Sequence, residues 1–192
     1  MTTVCDPDDL VVLLDGQRRP IGTAPRATVH HKHTPLHLAF SCYVFDPAGR
    51  LLVQRRAVSK PTWPGVWSNS CCGHPRPGED VADAAARRIR EELRLEPGDV
   101  RPLLPDFAYT ATMPDGTREN EACPVFGAVA AGDPDPDPAE VAEWRWVGWP
   151  EFLAAARTSP WLISPWAALQ ARELDDRFGP AVCGPDVSGT AA

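Results

Sequence analysis

Gly73-His74-Pro75-Arg76-Pro77-Gly78-Glu79-Asp80-Val81-Ala82-Asp83-Ala84-Ala85-Ala86-Arg87-Arg88-Ile89-Arg90-Glu91-Glu92-Leu93-Arg94-Leu95 is the stretch around which the rest of the sequence can be ordered. Its first third is broken by Pro75, Pro77 and Gly78, and the remainder is helical by period. Val81, Ala85, Ile89 and Leu93 recur every fourth residue and share one apolar face. Glu79 and Asp80 suit the positive end of a helix dipole, and Pro97-Gly98 stops the run, so a helix is expected over 79–95. Glu91 and Glu92 stand near its far end, where the dipole disfavours negative charge. Arg87–Glu91 and Arg88–Glu92 are i,i+4 pairs, which would make this a solvated, salt-bridged face. Yet base before acid is the weaker order on a helix, and exposed pairs contribute only about 0.3–0.5 kcal/mol. A cation site accounts for the two acids equally well.

Upstream, residues 57–78 hold Pro61, Pro64, Gly65, Gly73, Pro75, Pro77 and Gly78, a density that forbids a long helix or a central strand. The same stretch carries Trp63 and Trp67. A solvated linker rarely contains two tryptophans, so it reads as an ordered, functional loop. Before it, 37–45 and 51–53 read as strands joined by the turn Asp46-Pro47-Ala48-Gly49, and 10–14 as another short strand. Downstream, 107–112 and 124–130 are strand candidates around the turn Pro114-Asp115-Gly116, and 144–147 is a short strand. Residues 133–138 alternate Asp with Pro and form a surface loop. Residues 150–156 and 165–178 read as helices. Many strands with few helices indicate an α+β fold, a mixed α/β sandwich. One domain is expected over 10–178, preceded by a flexible arm at 1–9 and followed by a disordered, Gly-, Pro- and Ala-rich tail at 179–192.

The chain has 192 residues, enough to bury a core without staples, and 43% of them are hydrophobic. Its formal net charge is −7, the wrong sign for a protein that wraps nucleic acid. An acidic whole can still hold a basic pocket for a small anion. No apolar run approaches the roughly 18 residues of a membrane span. Asp6, Asp8 and Asp9 stand where a signal peptide would be basic and then apolar. The six cysteines, Cys5, Cys42, Cys71, Cys72, Cys123 and Cys183, form no C-x-x-C pair, so reduced thiols in the cytoplasm are expected.

Three groups of residues could carry chemistry. His30, His31, His33 and His37 fall close together and His74 follows Gly73. Such a run can be a solvated loop, and His37 between Leu36 and Leu38 can be a core histidine. Against that, Glu119 and Glu121 at i,i+2 on an extended segment project to one side. Imidazoles with carboxylates suit a transition metal better than Mg2+. Cys71-Cys72-Gly73-His74 is the third group. Buried cysteines are usually inert, but one beside a histidine and a metal can serve in proton transfer.

Gly73, Glu79, Arg87, Ile89, Glu91 and Glu92 follow the spacing of the Nudix box, a loop–helix–loop that gathers carboxylates around a divalent cation on a diphosphate. Arg88 stands where that family usually has Glu, and Arg94 where it usually has Gly. A more specific likeness is spread over 10–170. Trp63-Pro64-Gly65-Val66-Trp67-Ser68-Asn69-Ser70-Cys71-Cys72-Gly73-His74-Pro75 resembles the signature of type I isopentenyl diphosphate isomerases. So do Leu36-His37-Leu38-Ala39-Phe40-Ser41, Gln54-Arg55-Arg56-Ala57-Val58-Ser59-Lys60, Glu119-Asn120-Glu121-Ala122-Cys123-Pro124-Val125-Phe126 and Ser164-Pro165-Trp166, all in the family's order.

The resemblance implies a Nudix-like fold, with a central mixed sheet flanked by helices. It implies a monomeric enzyme of isoprenoid biosynthesis that interconverts isopentenyl and dimethylallyl diphosphate. It implies that His30, His37, His74, Glu119 and Glu121 hold a tightly bound divalent metal, Mn2+, Zn2+ or Mg2+. Glu92 and the carbonyl of Cys72 would hold Mg2+ on the diphosphate, and Arg26, Arg56, Lys60 and Arg88 would face its oxygens. Cys72 and Glu121 would be the proton-transfer pair, with Tyr109 near Glu121 and Trp166 beside the reacting carbons. Two other readings remain to be weighed: a pyrophosphohydrolase, disfavoured by Arg88 in the box, and a metal- or ligand-binding module without turnover.

Overall fold

Residues 10–183 of the chain are described by a computed structural model. The expected arm at 1–9, and the expected tail beyond 183, lie outside the described residues. In chain order the elements are β1 (Leu10–Leu14), β2 (Pro20–Pro25), α1 (Arg26–Val29), β3 (His37–Leu38), β4 (Phe40–Phe45), β5 (Leu51–Arg56), β6 (Trp67–Ser68) and β7 (Cys71–Gly73). There follow α2 (Val81–Arg88), β8 (Arg101–Leu104), β9 (Ala108–Thr112), β10 (Arg118–Ala122), β11 (Val125–Val129), β12 (Val141–Val147), α3 (Trp149–Thr158) and α4 (Pro165–Phe178).

The box helix starts two residues later than its period suggests. Asp80 is its N-cap, accepting from the backbone N–H of Ala82 at 2.8 Å and of Asp83 at 3.3 Å. Glu79 therefore stays outside the helix. Its carboxylate accepts from the backbone N–H of Arg76 and takes both Nε and Nη2 of Arg87, at 2.7 and 2.8 Å. The α-helix ends at Arg88 and gives way to a π-turn over Ile89–Leu93. Arg94, at φ 53°, then takes the left-handed conformation that closes a helix. The helix thus ends before Pro97-Gly98, at a non-glycine residue doing the work of one.

The stretch 37–45 is not one strand. Its first two residues, β3, belong to a mixed sheet ordered β2-β1-β3-β10-β9, and Phe40–Phe45, β4, belong to a second ordered β12-β5-β4-β11-β8. The chain segment β10–β11 runs parallel beside β3–β4 and divides in the same way. Hydrogen bonds from Ala39 N to Ala122 O (2.9 Å) and from Ser41 N to Pro124 O (3.1 Å) carry the ladder across the break. The two sheets therefore meet along one seam. The loop 57–78 contributes to the second sheet after all: β6 pairs with β5 and β7 with β4. Only two strands, of two and three residues, fit between Gly65 and Pro75, which is why composition hides them. Strands β2 and β8, each opened or interrupted by proline, are likewise unannounced by alternation.

Strand β4 is buried along its whole length. Phe40, Cys42 and Val44 pack with Ala84, Ala85, Ile89 and Leu93 of the box helix and its π-turn. Tyr43 and Phe45 pack on the other side with Trp149, Phe152, Trp166, Ala171 and Leu174 of α3 and α4. The second sheet is thus the middle of a helix–sheet–helix sandwich, the α+β architecture expected. Order continues past Phe178: Gly179–Cys183 forms a 3-10 turn with Val182 fully buried against the core. Among the described residues no helix is long and apolar enough to cross a membrane.

Candidate active site

The seam between the sheets is where the side chains of interest meet. His30 closes α1, His37 lies on β3, His74 follows β7, and Glu119 and Glu121 sit on the same face of β10. Register does part of the placing, because Glu121 is the direct partner of His37 across the parallel pair and of Tyr109 across the antiparallel one. Nε2 of His37 and Nε2 of His74 each lie 3.4 Å from Oε1 of Glu121, and Nε2 of His30 lies 3.8 Å from it. Donor atoms of these four residues all fall within 4.8 Å of one another. Glu119 joins through His30, its Oε2 being 3.0 Å from Nε2. His31 and His33 stay apart, packed loosely on each other.

The donor set suits a divalent cation. All three Nε2 atoms are buried and have no hydrogen-bond partner of acceptable geometry. Nδ1 of His37 lies 3.0 Å from the carbonyl of Pro35. A carbonyl only accepts, so Nδ1 is the donor there, which leaves Nε2 as the ring nitrogen facing the cluster and available to a metal. Burial pushes Glu121 up, but His30, His37 and His74 outweigh it and hold the carboxyl well below the usual range. Burial and the neighbouring Glu121 raise Glu119. His30 is raised to about 9: burial opposes this and the two carboxylates prevail. Burial pushes His74 down to about 4.

The cluster forms one wall of a cavity of about 500 Å³. Arg26, Arg56, Lys60, Arg88, Cys72, His30, His74, Tyr109, Glu119, Glu121 and Trp166 all line it, so most of the residues singled out from sequence share one space. His37 sits behind the wall, fully buried. Glu92 does not reach the cavity. It is buried, accepts from Nε2 of Gln54 at 2.8 Å and pairs with Nη2 of Arg88. Arg56 is largely engaged too, donating to the carbonyls of Thr62 and Trp63 and lying 5.5 Å from the centre of the Trp166 ring.

Cys72 Sγ lies 3.4 Å from Ser41 Oγ and donates to Asn69 Oδ1 at 3.4 Å. Burial raises its thiol to about 11, with Ser41, Asn69 and Arg56 pulling the other way. Tyr109 donates its hydroxyl hydrogen to Glu121 Oε2 at 3.0 Å, and burial, followed by the charge of Glu121, keeps that hydroxyl well above the usual range. The ring of Trp166 is 5.6 Å from that of Trp63 and 5.8 Å from that of Tyr109.

Residues that sequence reasoning passed over also shape the site. Glu140 lines the cavity, pairs with Lys60 and lies 3.7 Å from Arg88. Despite burial its carboxyl is lowered, by Lys60, Arg88 and Arg26. It follows a loop of alternating Asp and Pro, where an acid reads as solvated. Arg76 and Arg87 line the cavity as well. Asn69, Ser41 and Gln170 support it from behind and are fully buried. Ser41 and Asn69 fall inside the blocks that carry the family likeness and Gln170 does not, but no local pattern marks any of the three as a buried support.

Residues 35–167 match the NUDIX domain family. The chain is 65% identical over 168 residues to an isopentenyl-diphosphate Delta-isomerase of Frankia alni, covering 88% of this chain and 87% of that one. It is 58% identical over 170 residues to the enzyme of the same name from Mycolicibacterium vanbaalenii, covering 88% and 93%. The solved structure of DR0079 from Deinococcus radiodurans is similar in fold, with a TM-score of 0.67 at 20% identity over 86% of this chain and 98% of that one.

Proposed function

This chain belongs to the NUDIX domain family and, within it, to the isopentenyl-diphosphate Delta-isomerases, and we propose that the cavity at the sheet seam is where it interconverts isopentenyl and dimethylallyl diphosphate. The reaction is a step of isoprenoid biosynthesis. It adds a proton to one end of an unactivated alkene, passes through a tertiary carbocation, and loses a proton from the carbon on the other side. One group must hold each proton at its own position. The observation that carries the assignment is that a thiol, a carboxylate and an indole share the walls of a cavity with Arg26, Arg56, Lys60 and Arg88.

In this reading Cys72 and Glu121 are the two proton-transfer groups. Tyr109 holds one carboxylate oxygen of Glu121 and so fixes the direction of the other. Trp166 offers an aromatic face to the cation, an interaction worth roughly 2 kcal/mol or more in a desolvated site. The surrounding Trp63 and Tyr109 rings keep out water, which would otherwise trap the cation as an alcohol. The arginines and Lys60 bind the diphosphate oxygens, and Arg88 can do so with two donors at once.

His30, His37, His74, Glu119 and Glu121 would hold one divalent metal, for which Mn2+ or Zn2+ suits the nitrogen-rich donors and Mg2+ is the third choice. Bound there, the metal would supply positive charge next to Glu121. Glu92 and the Cys72 carbonyl would hold Mg2+ on the diphosphate only after Glu92, which stands outside the cavity lining and is bonded to Gln54 and Arg88, left those partners and turned towards it. The protein acts on a small diphosphate, as a monomer in the cytoplasm, without nucleic acid or membrane; size-exclusion and cell fractionation test those two statements.

The decisive experiment follows isopentenyl diphosphate by NMR in deuterated water with metal-loaded protein. Dimethylallyl diphosphate carrying solvent deuterium supports the isomerase. Released phosphate without isomer supports a hydrolase instead, and no change with metal bound supports a binding module.

A further inference from the structure

Asn69 lies between β6 and β7, fully buried and outside the cavity wall. A side-chain amide has one acceptor oxygen and two donor hydrogens, and here both ends are engaged. Nδ2 donates to the backbone carbonyls of Cys42 and Cys71, each at 3.0 Å. Carbonyls only accept, so these two bonds fix which way the amide faces. Oδ1 then receives Ser68 Oγ at 2.9 Å, Trp166 Nε1 at 3.0 Å and Cys72 Sγ at 3.4 Å. Two of those three donors are side chains that the proposed reaction needs, and they come from separate elements, β7 and the first turn of α4. The same junction is closed by Ser68 Oγ to Ser164 Oγ at 2.8 Å and by Ser164 N to the carbonyl of Trp67 at 2.7 Å.

We propose that Asn69 is a positioning residue for the isomerisation: its one amide oxygen ties the Cys72 thiol to the Trp166 indole and keeps them in a single relative placement. The inference rests on the functional reading above. Its physical basis is geometric. The backbone bond from Ser164 N to Trp67 O seats the start of α4 on β6, but it leaves open how the Cys72 and Trp166 side chains face each other, and the Asn69 oxygen is the atom that both of them reach. A misplacement of about 1 Å between reacting groups can reduce turnover about 100-fold. Asn69 touches neither the cations of the cavity nor the histidines, so its loss should leave binding in place.

The test compares metal-loaded wild type with Asn69→Ala and Asn69→Ser, the latter keeping a small polar group should the former fold poorly. The expected result is a fall in kcat of about 100-fold, with KM for isopentenyl diphosphate within about threefold. The indole Nε1–H resonance of Trp166, assigned by its absence in Trp166→Phe, should move upfield on loss of its acceptor, with the other tryptophan resonances staying in place. In the Trp166→Phe background the effect of Asn69→Ala should shrink, because one of the two tethered groups is already released. A kcat within about threefold of wild type in both variants overturns the proposal. So does a parallel loss of kcat, metal binding and all indole resonances, which marks a purely structural role. Wild type that makes no isomer sinks the functional reading instead, and the Trp166 resonance still reports whether the tether exists.

Discussion

Tyr109 and Glu121 are direct cross-strand partners on β9 and β10, and the tyrosine hydroxyl donates to Oε2 of that glutamate at 3.0 Å. With Oε1 turned to the three histidines, the carboxylate is held from both sides. Tyr109→Phe removes one hold and keeps the ring. Hydrogen bonds to charged groups are worth about 1.5–3 kcal/mol, so isomerisation should slow by about 10- to 100-fold. The melting temperature should move little. Steady-state kinetics beside a thermal melt checks this, and unchanged kcat would remove Tyr109 from the machinery.

Cys72→Ala should abolish isomerisation and leave diphosphate and metal binding intact, since the thiol touches neither the cavity cations nor the histidines. Calorimetric titration with a non-reacting diphosphate measures the binding. Equal loss of binding and turnover would count against a proton-transfer role.

Metal removal should destabilise the fold locally at the seam. The five proposed ligands come from four separate pieces of chain, and buried Nε2 atoms and carboxylates would be left facing one another without the cation. A chelator should therefore lower the melting temperature of wild type and add little to that of His37→Ala, which has already lost the innermost ligand. Metal content by mass spectrometry gives the second readout.

Gly73→Ala should destabilise and inactivate together. The added Cβ would lie 2.9 Å from Cζ of Phe40 and 3.1 Å from Cγ of Arg88. Overpacking of this kind costs about 1–3 kcal/mol, and any shift of β7 moves Cys72 and His74 on either side. Denaturant unfolding gives the first effect. A second change, Phe40→Leu, should recover part of the stability by opening the same space.

Glu79→Gln should show a pH-dependent loss of stability. The carboxyl is lowered from its ordinary 4.5, first by the Arg87 guanidinium. A depressed folded-state value means that the stabilisation is fully present above about pH 4.5 and disappears as pH falls through the lower folded value. Wild type and Glu79→Gln should therefore differ by roughly 1–2 kcal/mol at neutral pH and converge in acid. A constant difference down to pH 3 would contradict the ion-pair account.

Wherever a local rule decides, the residues by themselves determined the outcome. The four-residue spacing of Val81, Ala85, Ile89 and Leu93 announces the box helix, and those that it buries face β4. The i,i+2 spacing of Glu119 and Glu121 puts both acids on one side of a strand, and Asp46-Pro47-Ala48-Gly49 makes its turn. The likeness of the Trp63–Pro75 block named the family that the comparisons then showed. Only the tertiary structure decided the rest. No local preference tells His37-Leu38 from Phe40–Phe45, because the break at Ala39 is dictated by which sheet can complete its ladder there. The π-turn that buries Glu92 against Gln54 and Arg88, the amide of Asn69 between β7 and α4, and the carboxylate of Glu140 among the cations depend on partners 38 to 97 positions away in the chain or on different elements. Hydrogen bonds and charges act over a few ångströms in space, whatever their separation in sequence, so their meaning appears only when the chain has brought those atoms together.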